Sequence, residues 1–426
     1  MKPLKIFIIA GEMSGDVLGA GLMQSLRERH GEVEFRGIGG DLMALQGLQS
    51  IFPMHEISLM GFTEIIPHIP HLLRRISETV KTIRDWQPDA VVTIDSPGFN
   101  KRVAKKLGKG KIPLIHYVAP SVWAWRPGRA KTMAKLFDHL LCLFPCEPPY
   151  FQAEGLPATF IGHPVTDSDL GDGNGSEFRQ KIDLLPDDFM LMILPGSRIG
   201  EVRRLLPTFL QAAKILEDKY GPLPIMIPVF SNIDAEKDKD YLNDVKTKTE
   251  SGKTGDVEPF SPMSRLLWEY QDKVTRFFLY ETTPANKKDV FASASVALAA
   301  SGTVTLELAQ ARIPTVVAYK VSPLSALIAR MLVKLKYFTL TNILLNRPAI
   351  PEFFQERATP ENLATAIEDL MQNEISRQKQ LQAGQDALTM LAAPIGESSS
   401  GAAAAIILDI LKDAGKQSPK AIAAHS

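Results

Sequence analysis

One local device occurs twice in this 426-residue chain and restricts its fold more than any other feature. An apolar strand runs into a Gly/Ser turn that opens a helix. The first copy is Ile6-Phe7-Ile8-Ile9-Ala10 followed by Gly11-Glu12-Met13-Ser14-Gly15-Asp16; the second is Leu191-Met192-Ile193-Leu194 followed by Pro195-Gly196-Ser197-Arg198. Such a turn leaves bare backbone N–H groups and a positive helix end at the carboxyl edge of a parallel sheet, where anions and polar ligands bind. Two copies about half a chain apart predict an α/β protein of two Rossmann-like halves with a ligand cleft between them.

The length calls for two or three domains rather than one core. Strands expected at 4–10, 33–38, 89–95, 112–118 and 138–144 alternate with helical stretches at 14–29, 72–86 and 126–136, which indicates parallel sheets. The polar, Gly-rich stretch at 163–176 marks the boundary, so residues 1–167 form the first domain. The alternation then resumes, with strands near 189–194, 223–229, 274–280, 295–300 and 313–319 and helices near 200–218, 284–293, 303–311 and 323–334. This second domain runs over 168–375. Helical sequence at about 376–412 is expected to pack back on the first domain. The segment 231–258, rich in Asp, Glu, Lys and Thr, reads as an exposed excursion.

Lys and Arg number 48, equal to Asp and Glu, so no global field draws the chain to nucleic acid. The two cysteines, Cys142 and Cys146, exclude a disulfide framework and lack the partners for a zinc site; a buried, reduced pair is expected. No signal peptide is evident, and no window approaches the ~18 apolar residues of a spanning helix, so the expected location is cytoplasmic. Gly252-Lys253-Thr254 lacks the first glycine of a phosphate loop. Asp167-Ser168-Asp169 and Asp238-Lys239-Asp240 lie in linker-like sequence unsuited to a metal.

Four places carry chemistry. Asp95 closes the buried run Ala90-Val91-Val92-Thr93-Ile94, at the strand end where open α/β sheets bind ligands. It reads either as a base with a raised pKa or as the cap of the helix that follows. Ser14 and the Gly15 amide form a ligand cradle, or Ser14 is a cap and Asp16 a first-turn charge complementing the helix dipole. In Gly196-Ser197-Arg198 the guanidinium fork suits the oxygens of a diphosphate at a helix start; the alternative is an ion pair with Glu201. Ser301-Gly302-Thr303 follows a small-residue strand, and Glu307 lies one turn further on, placed to accept ribose hydroxyls or simply to be solvated. The apolar stretch 57–75, with Leu59, Met60, Phe62, Ile65 and Ile66 and closed by Arg74 and Arg75, reads as a membrane-facing flap or as a core segment. Lys101-Arg102 and Lys105-Lys106 form a basic cluster fit for acidic headgroups or a solvated face.

Six ordered blocks resemble the lipid-A-disaccharide synthases, a family of GT-B glycosyltransferases. They are Ala10–Asp16, Ile94–Asn100, His116–Arg126 with its Pro-Ser-Val-Trp-Ala-Trp core, Phe160–Pro164, Leu194–Arg198 and Ala300–Thr303, and the likeness covers about residues 4–395. It implies two Rossmann-like domains facing each other across a cleft, the acceptor in the N-terminal half and the donor in the C-terminal half. It implies an inverting transfer of a 2,3-diacylglucosamine from UDP to the 6-hydroxyl of 2,3-diacylglucosamine 1-phosphate, a step of lipid A biosynthesis in the Gram-negative envelope. By the same resemblance Asp95 matches the essential aspartate, Arg198 the essential arginine and Ser14 the first ligand loop. Glu307, Asn342 and Gln355 match polar positions near the donor. The implied partners are the two acylated sugars and the inner-membrane surface, approached peripherally; a homodimer is allowed, and no cofactor, metal or nucleic acid is expected. Where the family often has Asp, this chain has Gly98. Two rivals are a UDP-sugar 2-epimerase on the same fold and a non-catalytic lipid- or nucleotide-sugar-binding module. The apolar flap with Trp123 and Trp125 argues against the first, and retention of both Asp95 and Arg198 against the second.

Overall fold

Every strand of the first sheet is parallel: β1 (Leu4–Ala10), β2 (Val33–Ile38), β3 (Gln49–Ser50), β4 (Ala90–Ile94), β5 (Leu114–Tyr117), β6 (His139–Cys142) and β7 (Ala158–Phe160), in the order β3-β2-β1-β4-β5-β6-β7. The computed structural model describes residues 3–57, 62–123, 128–230, 270, 273–321, 336–394 and 396–416. It divides into two units, Met1–Asp167 with Leu391–Ser426, and Ser168–Met390. In the second unit β8 (Leu191–Leu194), β9 (Pro224–Phe230), β10 (Arg276–Thr282), β11 (Val296–Ala300), β12 (Thr315–Tyr319) and β13 (Glu352–Phe354) are again all parallel, ordered β10-β9-β8-β11-β12-β13. Counted from its own first strand, each sheet runs 3-2-1-4-5-6, the doubly wound Rossmann order, and the first adds a seventh strand at the far edge.

The sequence builds both faces of each sheet by alternation. Ile6, Ile8 and Ala10 of β1 join the core shared with helices Met13–His30 and Ser399–Lys416. Phe7 and Ile9 point into the opposite core, against helices Phe62–Trp86 and Pro97–Leu107. In the second unit Leu191 and Ile193 pack with helices Ile199–Tyr220 and Pro360–Gln372, while Met192 and Leu194 pack with Lys287–Ala292 and Val304–Gln310. Central strands covered on two faces are why these runs are continuously apolar.

Several expectations are refined. The helix foreseen at 72–86 starts at Phe62 and carries Pro67 and Pro70, each of which removes an N–H donor but fixes a helical φ. β7 and β13, three residues each, are too short to show a period of two. Of the helical range 376–412, the Glu374–Leu391 helix stays almost wholly with the second unit, where Gln380 pairs with both backbone groups of Thr315. The Ser399–Lys416 helix lies in the first unit, its start pinned by Asp167 to the N–H and hydroxyl of Ser399 (2.7 and 2.6 Å). The cysteine pair is not buried as a pair: Cys142 is buried, whereas Cys146 is exposed in the loop after β6. The excursion 231–258, the helix expected at 323–334, Trp125, Leu59 and Met60 lie outside the described residues. Of Phe62, Ile65 and Ile66 only the helical backbone is described. No helix among the described residues is long and apolar enough to cross a membrane.

Candidate active site at two switch points

In each sheet the strand order reverses between the first and fourth strands, and the crevice outside their carboxyl ends is where doubly wound folds bind ligands. β1 and β4 end at Ala10 and Ile94, so the first crevice is bordered by Gly11–Asp16 and by Asp95-Ser96. β8 and β11 end at Leu194 and Ala300, so Pro195–Arg198 and Ser301–Thr303 border the second. The four segments singled out by sequence therefore fall two to a crevice.

At the first crevice the chain turns sharply. Asp95 and Ser96 both adopt left-handed conformations, φ 45° and 40°. Each such residue costs ~1–3 kcal/mol unless its surroundings enforce it. Here the Asp95 N–H donates to the Tyr117 carbonyl (2.9 Å), and Asn100 Nδ2 donates to the carbonyls of Asp95 (2.8 Å) and Ile94 (3.2 Å). The helix Pro97–Leu107 takes Ser96, not Asp95, as its N-cap residue, so the capping alternative for Asp95 falls away. The Asp95 carboxyl is half-buried, and burial pushes its pKa above the ordinary range against the pull of the Ser96 backbone N–H. Gly11 makes this closeness possible: a Cβ there would lie 2.1 Å from Ser96 Oγ.

Ser14 is exposed and lies inside the first turn of its helix, whose N-cap residue is Glu12, so it is not the cap. Gly15 is buried, and a Cβ there would lie 3.3 Å from Ala10 Cβ and 3.6 Å from Ile94 Cγ2, so the glycine lets the helix sit close over the switch point. Asp16 does more than complement a dipole. Its buried carboxylate accepts the N–H groups of Gly40 (2.8 Å), Leu42 (2.9 Å) and Met43 (3.1 Å), capping the helix Asp41–Leu45. The neighbouring His116 is a neutral core residue, 1% exposed, its pKa pushed down to about 3 by burial and by Lys101. Within the basic cluster, Arg102 donates to the Gly98 carbonyl and Lys106 to Ser77 Oγ (2.9 Å).

The second crevice is bordered by exposed polar and charged groups. Arg198 is the N-cap residue of the helix Ile199–Tyr220, with φ −113°, and its side chain is 64% exposed. It meets Glu201 at 3.3 Å, so the ion-pair alternative is present. At that exposure such a pair is weak and competes poorly with a polyanion. Gly196, at φ 121°, lets the carboxylate tuck beneath the turn: a Cβ would lie 2.8 Å from Glu201 Oε2. Ser197, Gly302 and Thr303 are exposed, and Ser301 Oγ donates to the Phe338 carbonyl (3.0 Å). Glu307 is not simply solvated, since Lys287 Nζ holds it at 2.7 Å while lying over the rings of Phe230 and Phe291.

Two expected donor residues are occupied elsewhere. Asn342 is fully buried; its Oδ1 accepts the N–H groups of Ala349 and Ile350 (2.8 Å each) and its Nδ2 donates to the Ile350 carbonyl (2.8 Å). Gln355 exchanges two bonds with the backbone of Val321 (3.0 and 3.2 Å), continuing with a side chain the ladder of β12 and β13. Both thus bond backbone groups of neighbouring loops, Asn342 with its whole side chain buried and Gln355 half-buried. Sequence reading also passed over Glu147. It is 1% exposed and accepts N–H groups of Leu143 (3.2 Å), Phe144 (3.1 Å) and Trp123 Nε1 (3.3 Å), with a pKa raised by burial to about 7. Its one signal is a carboxylate set between the apolar run Leu140–Phe144 and Pro148-Pro149.

Two Rossmann-like units with polar switch points define the GT-B class of glycosyltransferases and related epimerases. Solved structures agree on the fold. A UDP-GlcNAc 2-epimerase from Neisseria meningitidis bound to UDP-GlcNAc matches with TM-score 0.58 and 12% identity, over 96% of this chain and 100% of that one. A glycosyltransferase from Rickettsia africae matches with TM-score 0.52 and 12% identity, over 98% and 100%. The family model described as lipid-A-disaccharide synthetase matches residues 6–257 and 261–407. Lipid-A-disaccharide synthases from Rhodospirillum centenum (44% identity, 96% of each chain) and Paramagnetospirillum magneticum (40%, 97% of this chain and 99% of that one) are similar over almost their full lengths. The chain belongs to the lipid-A-disaccharide synthase family and is a glycosyltransferase of lipid A biosynthesis.

Proposed function

We propose that this enzyme moves a 2,3-diacylglucosamine from UDP to the 6-hydroxyl of 2,3-diacylglucosamine 1-phosphate with inversion, giving a β-1,6-linked disaccharide 1-phosphate and UDP. The observation that carries the reading is the unlike chemistry at two equivalent switch points: a half-buried carboxyl with a raised pKa at one, an exposed guanidinium at a helix start at the other. Asp95 takes the proton of the acceptor hydroxyl as its oxygen attacks the anomeric carbon. The bond from that carbon to the diphosphate breaks, and the electron pair leaves on the diphosphate oxygen. Arg198, with Gly196 and Ser197, stabilises the charge that develops there. Ser301, Gly302, Thr303 and Glu307 border the nucleotide, while Asn342 and Gln355 brace the wall beside it. Ser14 and Gly15 lie on the acceptor side.

Acylated substrates call for action at a lipid surface, and the segment holding Leu59, Met60, Phe62, Ile65 and Ile66 is proposed to face the inner membrane. Arg75 is not free to meet headgroups, since it is held by Glu56 (2.6 and 2.7 Å) and Glu78 (2.7 Å). The test is mass spectrometry of the purified protein with UDP-2,3-diacylglucosamine and 2,3-diacylglucosamine 1-phosphate in detergent with EDTA. Disaccharide 1-phosphate plus UDP is the expected outcome. Absence of product, with UDP-N-acetylglucosamine epimerised instead, would overturn the reading.

A further inference from the structure

Three residues beyond Asp95 along the first sheet's carboxyl edge form an aromatic row that the reaction as derived does not use. Trp123 follows β5, Phe144 follows β6 and His163 follows β7, in strand order outward from β4. Trp123 meets Phe144 edge-on at 6.2 Å between ring centres, and Phe144 meets His163 at 5.4 Å. Strands lie roughly 4.8 Å apart, so the row begins beside the strand that ends at Asp95 and extends roughly 10–15 Å from it.

His163 is 93% buried by virtue of its 7% exposure, and its backbone is fixed by bonds to Leu391 and Thr166. Its Nδ1 accepts the Val165 N–H (3.2 Å), and burial pushes its pKa down to about 4, so the ring is neutral with its proton on Nε2. Among the described residues no acceptor meets that Nε2–H. It is also not sealed off, unlike the buried, unpartnered Asn100 Oδ1 and Tyr117 Oη. An aromatic face ending in a lone neutral donor is the chemistry that recognises an acylated pyranose. The ring's C–H face and the chain stems lie on the aromatics, and an amide or ester carbonyl accepts the N–H.

We infer that Trp123, Phe144 and His163 form the subsite for the diacylated sugar of the acceptor, with Glu147 as the positioning residue that fixes Trp123. The inference rests on the acceptor assignment made above. Glu147 acts through its bond to Trp123 Nε1 and its grip on the Leu143 and Phe144 amides, so one buried carboxylate ties together the loops after β5 and β6.

The test uses the full-length enzyme in detergent micelles. Calorimetry reads binding of 2,3-diacylglucosamine 1-phosphate and, separately, of UDP; steady-state kinetics reads the acceptor KM and kcat. His163→Phe keeps the ring and removes the donor, and is expected to raise the acceptor Kd and KM about tenfold with UDP affinity unchanged. His163→Gln, which restores an N–H, should recover most of the loss. Glu147→Gln should raise the acceptor KM several-fold while leaving kcat within about threefold, as loss of positioning does. An unchanged acceptor Kd in both His163→Phe and Trp123→Phe, in folded protein, overturns the subsite. If His163→Phe does not fold, Trp123→Phe decides it, an unchanged acceptor Kd in that folded variant overturning the subsite. Should the wild type bind this acceptor but form no disaccharide, the reaction assignment fails while the binding arm still reads the subsite.

Discussion

The two sheets share a strand order and a switch point, yet their crevices differ in every property that sets chemistry. In the first, consecutive left-handed residues force a carboxylate down beside apolar strand ends. In the second, an extended N-cap residue holds a guanidinium out into solvent, and the turn's left-handed position is left to Gly196. The comparison teaches that topology fixes where a ligand binds and local backbone fixes what can be done to it. Burial raises a proton affinity, and an open helix start with an arginine gathers negative charge.

The largest effect should come from Asp95→Asn, which tests whether the strained carboxyl is kept for chemistry. Asn tolerates the left-handed region at least as well as Asp and carries no charge to desolvate, so the melting temperature should hold or rise slightly. Turnover should fall on the order of 10³–10⁴-fold with donor KM little changed. In the wild type the rate should fall as pH drops through the Asp95 pKa, because the base must be ionised. That acid limb should lie above the ordinary carboxylate range, since burial raises the group. Near-normal turnover in the Asn variant would remove Asp95 from the reaction.

Arg198→Ala attacks the other side of the contrast. With the side chain 64% exposed and its pair with Glu201 weak, folding stability should change by less than about 0.5 kcal/mol. UDP affinity and kcat should both fall, kcat by roughly 10²–10³-fold, as when one preorganised donor to a developing charge is lost. Equal UDP binding by calorimetry in variant and wild type would move the diphosphate elsewhere.

Much of this contrast was legible from the chain. Buried parallel strands read as continuous apolar runs, and both turns carry their own glycine and serine punctuation, so the frame and all four crevice segments follow from local pattern. What local pattern omits is partnership across the fold. Asp16 looks like a helix-start charge, but its three bonds go to residues 24 to 27 positions away. Asn342 and Gln355 entered only through the family resemblance, as polar positions near the donor, and only the tertiary structure reveals their backbone partners. Glu147 stayed hidden because its one local signal, a carboxylate between an apolar run and two prolines, does not say that it turns inward next to the exposed Cys146.

Glu147 gives a smaller, sharper test of how the first unit stores the free-energy cost of buried charge. Its pKa rises from an ordinary 4.5 to about 7 on folding, so the folded state holds the proton more tightly than the unfolded one. The favourable contribution is full below about pH 4.5 and is lost as pH rises through about 7, a change on the order of 3 kcal/mol by pH 8. His163 and His116, lowered by burial to about 4 and 3, act in the opposite sense and only toward acid. The two histidines titrate alike in wild type and Glu147→Gln, so the difference between the two proteins isolates the carboxyl: measured by urea midpoints, the stability of the wild type relative to the variant should be greater at pH 5 than at pH 8. Equal pH dependence in both would mean that water or rearrangement already compensates the charge.

The smallest effect on folding should come from Gly302→Ala, and its smallness makes it informative. Gly302 lies in the turn after β11, and a Cβ there would meet no atom within 4 Å. Nothing in the packing requires the glycine, and its φ is not in the left-handed range, so the melting temperature should stay within about 1–2 °C. Any function it serves is toward a ligand that approaches the backbone. A fall of about three- to tenfold in UDP affinity, without a change in melting, would place the nucleotide against this turn and make the second crevice a diphosphate site on both its borders. Unchanged affinity would confine the diphosphate to Gly196, Ser197 and Arg198, and the symmetry between the two borders of that crevice would be one of topology alone.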